Sequence, residues 1–353
     1  MIMLPELKLL TRVFLSNLKR LKYPYKLSFA ITYRCNLRCK MCFIWKKPRQ
    51  PELTTKEIES FFMRSNNFSW VGLTGGELFL REDLLDIVGI VLKYCKSLCL
   101  IHLATNGYLK DKITTQVQEM LKLRPRRLYV TISVDGPAPV HDNLRGVNGS
   151  FRNAIDTFVA LQNMPGVNPY ISMTLSSDNL GKINETIASI KDVYPAFDAR
   201  KMMNFNLFQK STHYYDNAHL DSPDKNLLLR DIQEALRIVG TGPAIKNYLQ
   251  RNYFKLSVPY LNTGHSPLPC QVLSTSCVIN PYGELFPCGV YDRKIGNIRD
   301  VGFRLDKLWI EKKTAQLYHA CRNGICPGCW SPCDAYQSIN ASLLRKYLRL
   351  IRR

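Results

Sequence analysis

The sequence predicts an α/β protein: a partial (β/α)6 barrel of parallel strands followed by a small C-terminal cysteine-rich domain. Three observations carry that reading. Between Lys26 and Phe208, short runs rich in β-branched and aromatic residues alternate with helical patterns, recurring roughly every 30 to 40 residues. Seven of the twelve cysteines fall in one loop-rich stretch, Pro267–Gln337. At 353 residues, 46% of them apolar, the chain can bury a full-sized core and leave material for a second, smaller unit.

Taken in order, residues 1–24 form a basic amphipathic segment. Leu7, Leu10, Phe14, Leu18 and Leu21 share one helical face, with Lys8, Arg12, Lys19, Arg20 and Lys22 elsewhere. Residues 25–215 hold the barrel. Its expected strands are Lys26–Thr32, Trp70–Thr74, Leu98–Ala104, Leu128–Val134, Tyr170–Leu175 and Met202–Phe208. Helices are expected over Lys56–Arg64, Asp83–Tyr94, Ile113–Lys122, Phe151–Asn163 and Lys182–Val193. Thr54 with Glu57 makes a capping box for the first of these. Residues 216–266 read as a helical linker, with a helix near Lys225–Val239, and residues 267–337 as the second domain. Its regular apolar pattern is too poor to fold without a metal centre. A β-hairpin is expected there, Val278–Asn280 turning through Pro281, Tyr282 and Gly283 into Glu284–Phe286. Residues 338–353 are a basic tail, leucine-rich from Leu343 to Arg353.

Charge and cysteine usage narrow the class. The formal charge of +21, from 49 basic and 28 acidic residues, fits either an anionic partner or a solvated basic surface. Nucleic acid, a membrane surface and an acidic substrate are the anionic candidates. No stretch approaches the roughly 20 apolar residues of a spanning helix, and charges interrupt the segment after Met1 where a signal peptide would be apolar. A cytoplasmic protein is therefore expected, its termini either docking peripherally on the inner membrane face or packing against the barrel. In a reducing compartment, clustered cysteines point to metal or redox chemistry rather than disulfides. Cys95 and Cys99, at a helix end and a strand start, read as plain core residues.

Cys35, Cys39 and Cys42 lie in one short loop directly after the first strand, at the carboxyl end of the sheet where ligands collect. Three thiolates suit a [4Fe–4S] cluster with one open iron; a zinc site completed by a distant residue is the lesser alternative. Further motifs follow each strand: Thr74-Gly75-Gly76-Glu77, Thr105-Asn106-Gly107, and Ser133-Val134-Asp135-Gly136-Pro137 with Arg145-Gly146 downstream.

The Cys-x3-Cys-x2-Cys loop and these motifs together resemble the radical S-adenosylmethionine superfamily. The resemblance implies a [4Fe–4S] cluster on Cys35, Cys39 and Cys42. It implies reductive cleavage of S-adenosylmethionine to a 5′-deoxyadenosyl radical, which abstracts a substrate hydrogen, and an electron donor such as ferredoxin or flavodoxin. It also assigns cofactor contacts. Gly75 and Gly76 would let backbone approach the methionyl group, and Glu77 would receive its ammonium. Ser133 and Arg145 would contact the ribose and carboxylate, and Asn106 belongs to the family's usual turn. Met41, where an aromatic residue is usual, would border the adenine, as would the stretch holding Asn206 and Leu207.

The later cysteines resemble the SPASM domain, or its shortened twitch form, which makes the second unit an iron–sulfur domain. The shortened form implies one auxiliary cluster on Cys270, Cys288, Cys326 and Cys329; full-length relatives would recruit Cys277 and Cys333, and Cys321 is a further alternate. A zinc ribbon would use the same thiols. Gly289 stands where sulfatase-modifying relatives carry a catalytic Asp, which disfavours that reaction. No catalytic residue is assigned; His141 is expected in a loop facing the site. The substrate is expected to be a peptide, a protein side chain, or an anionic small molecule or glycolipid. A non-catalytic iron–sulfur or zinc protein binding nucleic acid through Arg124, Arg126 and Arg127 is the alternative, disfavoured because no aromatic-basic RNA motif is present.

Overall fold

The structure, a computed structural model, describes residues 4–241 and 245–351, with side chains up to residue 342. The strands are β1 (Lys26–Thr32), β2 (Trp70–Gly75), β3 (Leu100–Thr105), β4 (Leu128–Ser133), β5 (Val167–Leu175), β6 (Met203–Leu207), β7 (Ser276–Ile279), β8 (Glu284–Phe286) and β9 (Gly296–Asn297). The helices are α1 (Pro5–Leu18), α2 (Thr55–Arg64), α3 (Leu84–Tyr94), α4 (Lys110–Lys122), α5 (Ala138–Arg145), α6 (Ser150–Gln162) and α7 (Ile183–Val193). They continue with α8 (Ala199–Met202), α9 (Lys225–Ile238), α10 (Ile245–Thr263), α11 (Leu305–Trp309), α12 (Lys312–Arg322) and α13 (Pro332–Ile351).

The six expected strands are present within a few residues of their predicted bounds, all parallel, in the order β6-β5-β4-β3-β2-β1. Their residues alternate in environment. Ile101, Leu103, Val130, Ile132, Ile171 and Met173 are fully buried in the core shared with the helices. Between them, His102, Thr131, Ser133, Ser172, Thr174, Asn204 and Asn206 line the other, concave face with polar groups. The capping box is present: Thr54 Oγ1 accepts from the Glu57 N–H at 3.3 Å, and Glu57 returns a bond to the Thr54 N–H at 2.9 Å.

Beyond the barrel, β7 pairs in parallel with β1 and begins the expected hairpin with β8, so the two units share one nine-stranded sheet. Sequence reasoning placed the hairpin in a separate domain, because pairing across some 250 residues leaves no local pattern. The second unit also holds more helix than its loop-rich composition predicts. α12 carries Cys321, and α13 runs without a break across the boundary expected at residue 337. The leucine-rich stretch from Leu343 lies on α13, but its side chains fall outside the described residues. The N-terminal segment is tied to this unit by Arg20, which donates to Leu273 O and Trp309 O at 2.8 Å each, and by Trp309, which donates to Leu21 O at 3.0 Å.

Candidate active site

The cysteine loop is held on three sides. Backbone bonds join it to the end of α5, Arg38 N–H to Arg145 O at 3.0 Å and Lys40 N–H to Leu144 O at 2.8 Å. Gly146 closes α5 with φ 70°, and a Cβ there would stand 2.7 Å from Arg38 O. At the end of β2, an added Cβ would lie 2.0 Å from Thr32 O at Gly75 and 2.2 Å from Arg34 O at Gly76. Glycine is needed at both positions because β2 and the cysteine loop close on each other. The space beside their α-carbons is filled by protein backbone.

Glu77 is fully buried, and its partners are protein groups. Its carboxylate accepts from Thr105 Oγ1 at 2.9 Å, from the Asn106 N–H at 2.8 Å and from the Phe79 N–H at 3.2 Å. Burial pushes its pKa up to about 7, against the lowering effect of those donors. Glu77, expected to receive an ammonium, also clamps the ends of β2 and β3. Asn106 extends the clamp, its side-chain amide donating to Asn36 Oδ1 at 2.8 Å, with Cys35 Sγ 4.0 Å away.

Arg145 is buried between Asp135, with which it forms an ion pair, and Cys39, whose Sγ lies 3.7 Å from Nη1. Burial lowers its pKa, but Asp135 and Cys39 more than offset this and hold the guanidinium charged. Asp135 also accepts from the Thr174 N–H at 2.7 Å, which ties the end of β4 to β5. Asp135 carries no role in the motif read from the sequence; an acid ten residues before the arginine is the signal for this pair. His141 lies on helix α5, not in a loop. It is fully buried, and its Nδ1 accepts from the Asp135 N–H at 3.0 Å. Burial holds its pKa well below 6.5, so the ring stays neutral and supports the Asp135 turn.

The other expected contacts are dispersed around this centre. Met41 accepts from Asn217 through its carbonyl at 2.9 Å; Leu207 is buried, its N–H donating to the Tyr253 hydroxyl at 3.1 Å. Ser133 sits half-buried on the concave face beside Ser172, which receives a bond from Asn206 at 2.7 Å. Tyr33, Ala30, Ile44 and Tyr214 form an apolar jacket against which Cys35 and Cys42 pack. Tyr214 also shares a 2.9 Å bond with Thr74. These tyrosines were missed because they belong to no motif.

Burial raises Cys35 to about 11 and Cys42 to about 12, so the free thiols keep their protons at neutral pH. Among the described residues, no three His, Cys, Asp or Glu side chains meet as closely as one bound ion requires. The donor chemistry nonetheless fits an iron–sulfur cluster: three neighbouring thiols in one loop, an apolar jacket, and a charged guanidinium against one sulfur. Arg145 Nε and Asn36 Nδ2 are buried there without a protein partner, which leaves donors for a bound group.

In the second unit, Cys270, Cys288, Cys321 and Cys326 share one buried cluster with Val272, and Cys329 is a direct thiol neighbour of Cys288. Cys277 instead lies in the main core on β7. Cys333 is exposed, on the side of Tyr214 and Tyr215. Cys95 and Cys99 are buried, as expected of core residues.

Comparison with known proteins is consistent with this geometry. Residues 29–190 match the Radical SAM superfamily model, and residues 270–333 match the SPASM iron–sulfur cluster-binding domain. The chain is a radical S-adenosylmethionine enzyme with a SPASM domain. It is 26% identical over 330 residues to the antilisterial bacteriocin subtilosin biosynthesis protein AlbA of Bacillus subtilis, covering 87% of this chain and 67% of that one. It is 27% identical to the AdoMet-dependent heme synthase of Methanosarcina barkeri, covering 85% of each chain. Its fold is shared with anSMEcpe, solved with bound AdoMet and the Kp18Cys peptide, at a TM-score of 0.59 and 18% identity over 84% of this chain and 83% of that one.

The cofactors of this radical enzyme are therefore [4Fe–4S] clusters and S-adenosylmethionine, which when bound supply the electron and the carbon-centred radical for hydrogen abstraction. The barrel supplies position, a low-dielectric jacket and exclusion of water. Among the described residues, no helix is long and apolar enough to cross a membrane.

Proposed function

We propose that this enzyme abstracts a hydrogen from a peptide or protein side chain held on the concave face of the barrel. The observation that carries the reading is the make-up of that face. Behind the cysteine loop it presents Thr74, Thr131, Ser133, Ser172, Thr174, Asn204 and Asn206, with His102 bonded to Thr131 at 2.8 Å. Burial, with the nearby Lys26 ammonium, lowers His102 to about 4, so its ring is neutral at neutral pH. Hydroxyls and amides of this kind match the alternating donors and acceptors of a peptide backbone. The bacteriocin-biosynthesis relative and the peptide-bound structural neighbour support the same class. A small anionic substrate is the second reading, supported by the charge of +21 and the heme-synthase relative.

In this proposal Cys35, Cys39 and Cys42 hold the cofactor cluster. Met41, Gly75, Gly76, Glu77, Asn106, Ser133, Arg145 and Leu207 border S-adenosylmethionine. Cys270, Cys288, Cys326 and Cys329 hold one auxiliary cluster, and Cys321, a fifth thiol in the same group, competes for a place. The working division is 25–215 for the radical core, 216–266 for the linker and 267–337 for the auxiliary unit, between the segments 1–24 and 338–353. We place the protein in the cytoplasm, in peripheral contact with the inner membrane face and served by a ferredoxin or flavodoxin.

The test is anaerobic incubation of the iron-reconstituted protein with S-adenosylmethionine, a strong reductant and side-chain-deuterated peptides. The expected result is 5′-deoxyadenosine that carries deuterium and is absent with Cys35→Ala. Turnover that labels only from anionic small molecules would overturn the peptide assignment while leaving the radical chemistry in place.

A further inference from the structure

Helix α1 buries Pro5 and half-buries Leu9 and Val13 on its inner side, yet it also presents an apolar face to water. Leu4, Leu7, Leu10, Phe14 and Leu18 are 66, 53, 64, 42 and 60% exposed, whereas Ser16 and Asn17 on the inner side are 2 and 8% exposed. The five apolar side chains fall within one third of the helix circumference, a continuous outward stripe. The helix is nevertheless firmly seated. Lys8 donates to Ser97 Oγ at 2.7 Å, and Arg12 donates to Asn67 O and Tyr23 O at 2.7 Å each. Its orientation is fixed by these long-range polar bonds together with packing against α13, which leaves the stripe outside.

Beside the N-terminal half of α1 lies a second feature. The loops after α3 and α4 enclose a cavity of about 210 Å³ lined by Lys96, Leu123, Arg124, Pro125, Arg126 and Arg127. The four cationic residues are all exposed, and Leu123 is 42% exposed. The two features are contiguous: Arg126 lies 3.6 Å from Glu6, and Ser97 receives Lys8. This cavity is at the amino-terminal end of the strands, opposite the cysteine loop, so it does not belong to the active site.

We propose that this face docks on an anionic phospholipid bilayer, with the α1 stripe in the interface and the arginine cavity receiving a phosphate headgroup. Apolar side chains bordered by cations match the two layers of such a surface, acyl chains beneath phosphates. Docking this way turns the carboxyl end of the barrel, with its cysteine loop, away from the membrane and leaves it open to substrate and reductant. The inference does not depend on which substrate the enzyme takes.

The test is flotation of the reconstituted full chain with vesicles of phosphatidylethanolamine and phosphatidylglycerol, and with vesicles of phosphatidylcholine alone. The intact protein should float with the anionic vesicles only. Leu7→Ser with Leu10→Ser should abolish flotation. Arg124→Ala, Arg126→Ala and Arg127→Ala combined should weaken it roughly a hundredfold, at about fivefold per lost cation. All these positions are exposed, so thermal stability and 5′-deoxyadenosine yield should match the wild type and confirm folding. Equal flotation with neutral vesicles would overturn the headgroup cavity. Failure to float, with a dimer in light scattering that Leu10→Ser dissociates, would make the stripe a contact between two copies and overturn the proposal.

Discussion

Replacing Glu77 with alanine removes the acceptor on which the ends of β2 and β3 converge. Three donors lose their partner: the Asn106 and Phe79 N–H groups and the Thr105 hydroxyl, all within 3.2 Å of the carboxylate. The hydroxyl can rotate to another acceptor, whereas the two amides stay buried and unpaired. At about 1–3 kcal/mol for each of the two orphaned amides, Glu77→Ala should cost about 2–6 kcal/mol of stability. Glu77→Gln keeps one acceptor and can donate to Thr105, so its cost should be about 1–2 kcal/mol. The two variants also differ in their response to pH. In the wild type the folded pKa, about 7, lies above the unfolded value near 4.5. The folded state therefore holds the proton more tightly, and this contribution is lost as pH rises from 4.5 to 7. Across that window it amounts to about 3 kcal/mol, which a glutamine does not share. Anaerobic urea denaturation followed by circular dichroism at pH 5 and pH 8 measures both effects. The cost of Glu77→Gln should be largest at pH 5 and vanish or reverse at pH 8. An alanine variant with the wild-type midpoint, or a glutamine variant whose cost is independent of pH, would refute the clamp. A glutamine variant of normal stability that binds S-adenosylmethionine poorly would restore the direct ammonium contact.

Gly76→Ala should cost at least about 3 kcal/mol and lower iron content, because its Cβ meets Arg34 O at 2.2 Å; Gly289→Ala, with nothing within 4 Å, should leave both unchanged. Iron loading of the barrel site should strengthen as pH rises and release protons measurable by calorimetry, since Cys35 and Cys42 start protonated. Iron and sulfide counting should show loss at the second unit with Cys288→Ala and none with Cys277→Ala, which lies in the main core. Acid should destabilise the chain through its buried histidines. Burial holds His102 and His213 near 4, so their contribution is intact above 6.5 and is lost as pH falls towards 4; His102→Gln should flatten that part of the profile.

Much of the site was legible because it is built from local signals. The cysteine spacing, the Gly-Gly-Glu turn and the Asn-Gly turn each follow a strand whose pattern is visible in its own few residues, and parallel βα topology brings all strand ends to one edge. What each residue touches was less legible. Glu77 reads as a ligand for an ammonium, and its further part as a clamp is visible only where Thr105 and Asn106 at the end of β3 meet its carboxylate. Arg145 meets Asp135 and Cys39 because α5, too short and polar to stand out as a helix, carries it back over the loop.

The same contrast holds at the scale of the fold. Periodicity, turn residues and cysteine spacing specify a parallel α/β barrel, its cofactor edge and a second thiol-rich unit, since these are properties of short segments. The joining of β7 to β1, the gathering of Cys321 with Cys270 and Cys288, and the outward turn of the α1 leucines depend on partners far away in the chain. An amphipathic helix has an apolar face in either setting; the bonds of Lys8 and Arg12 to distant loops and the packing on α13 decide whether that face is buried or left for a partner.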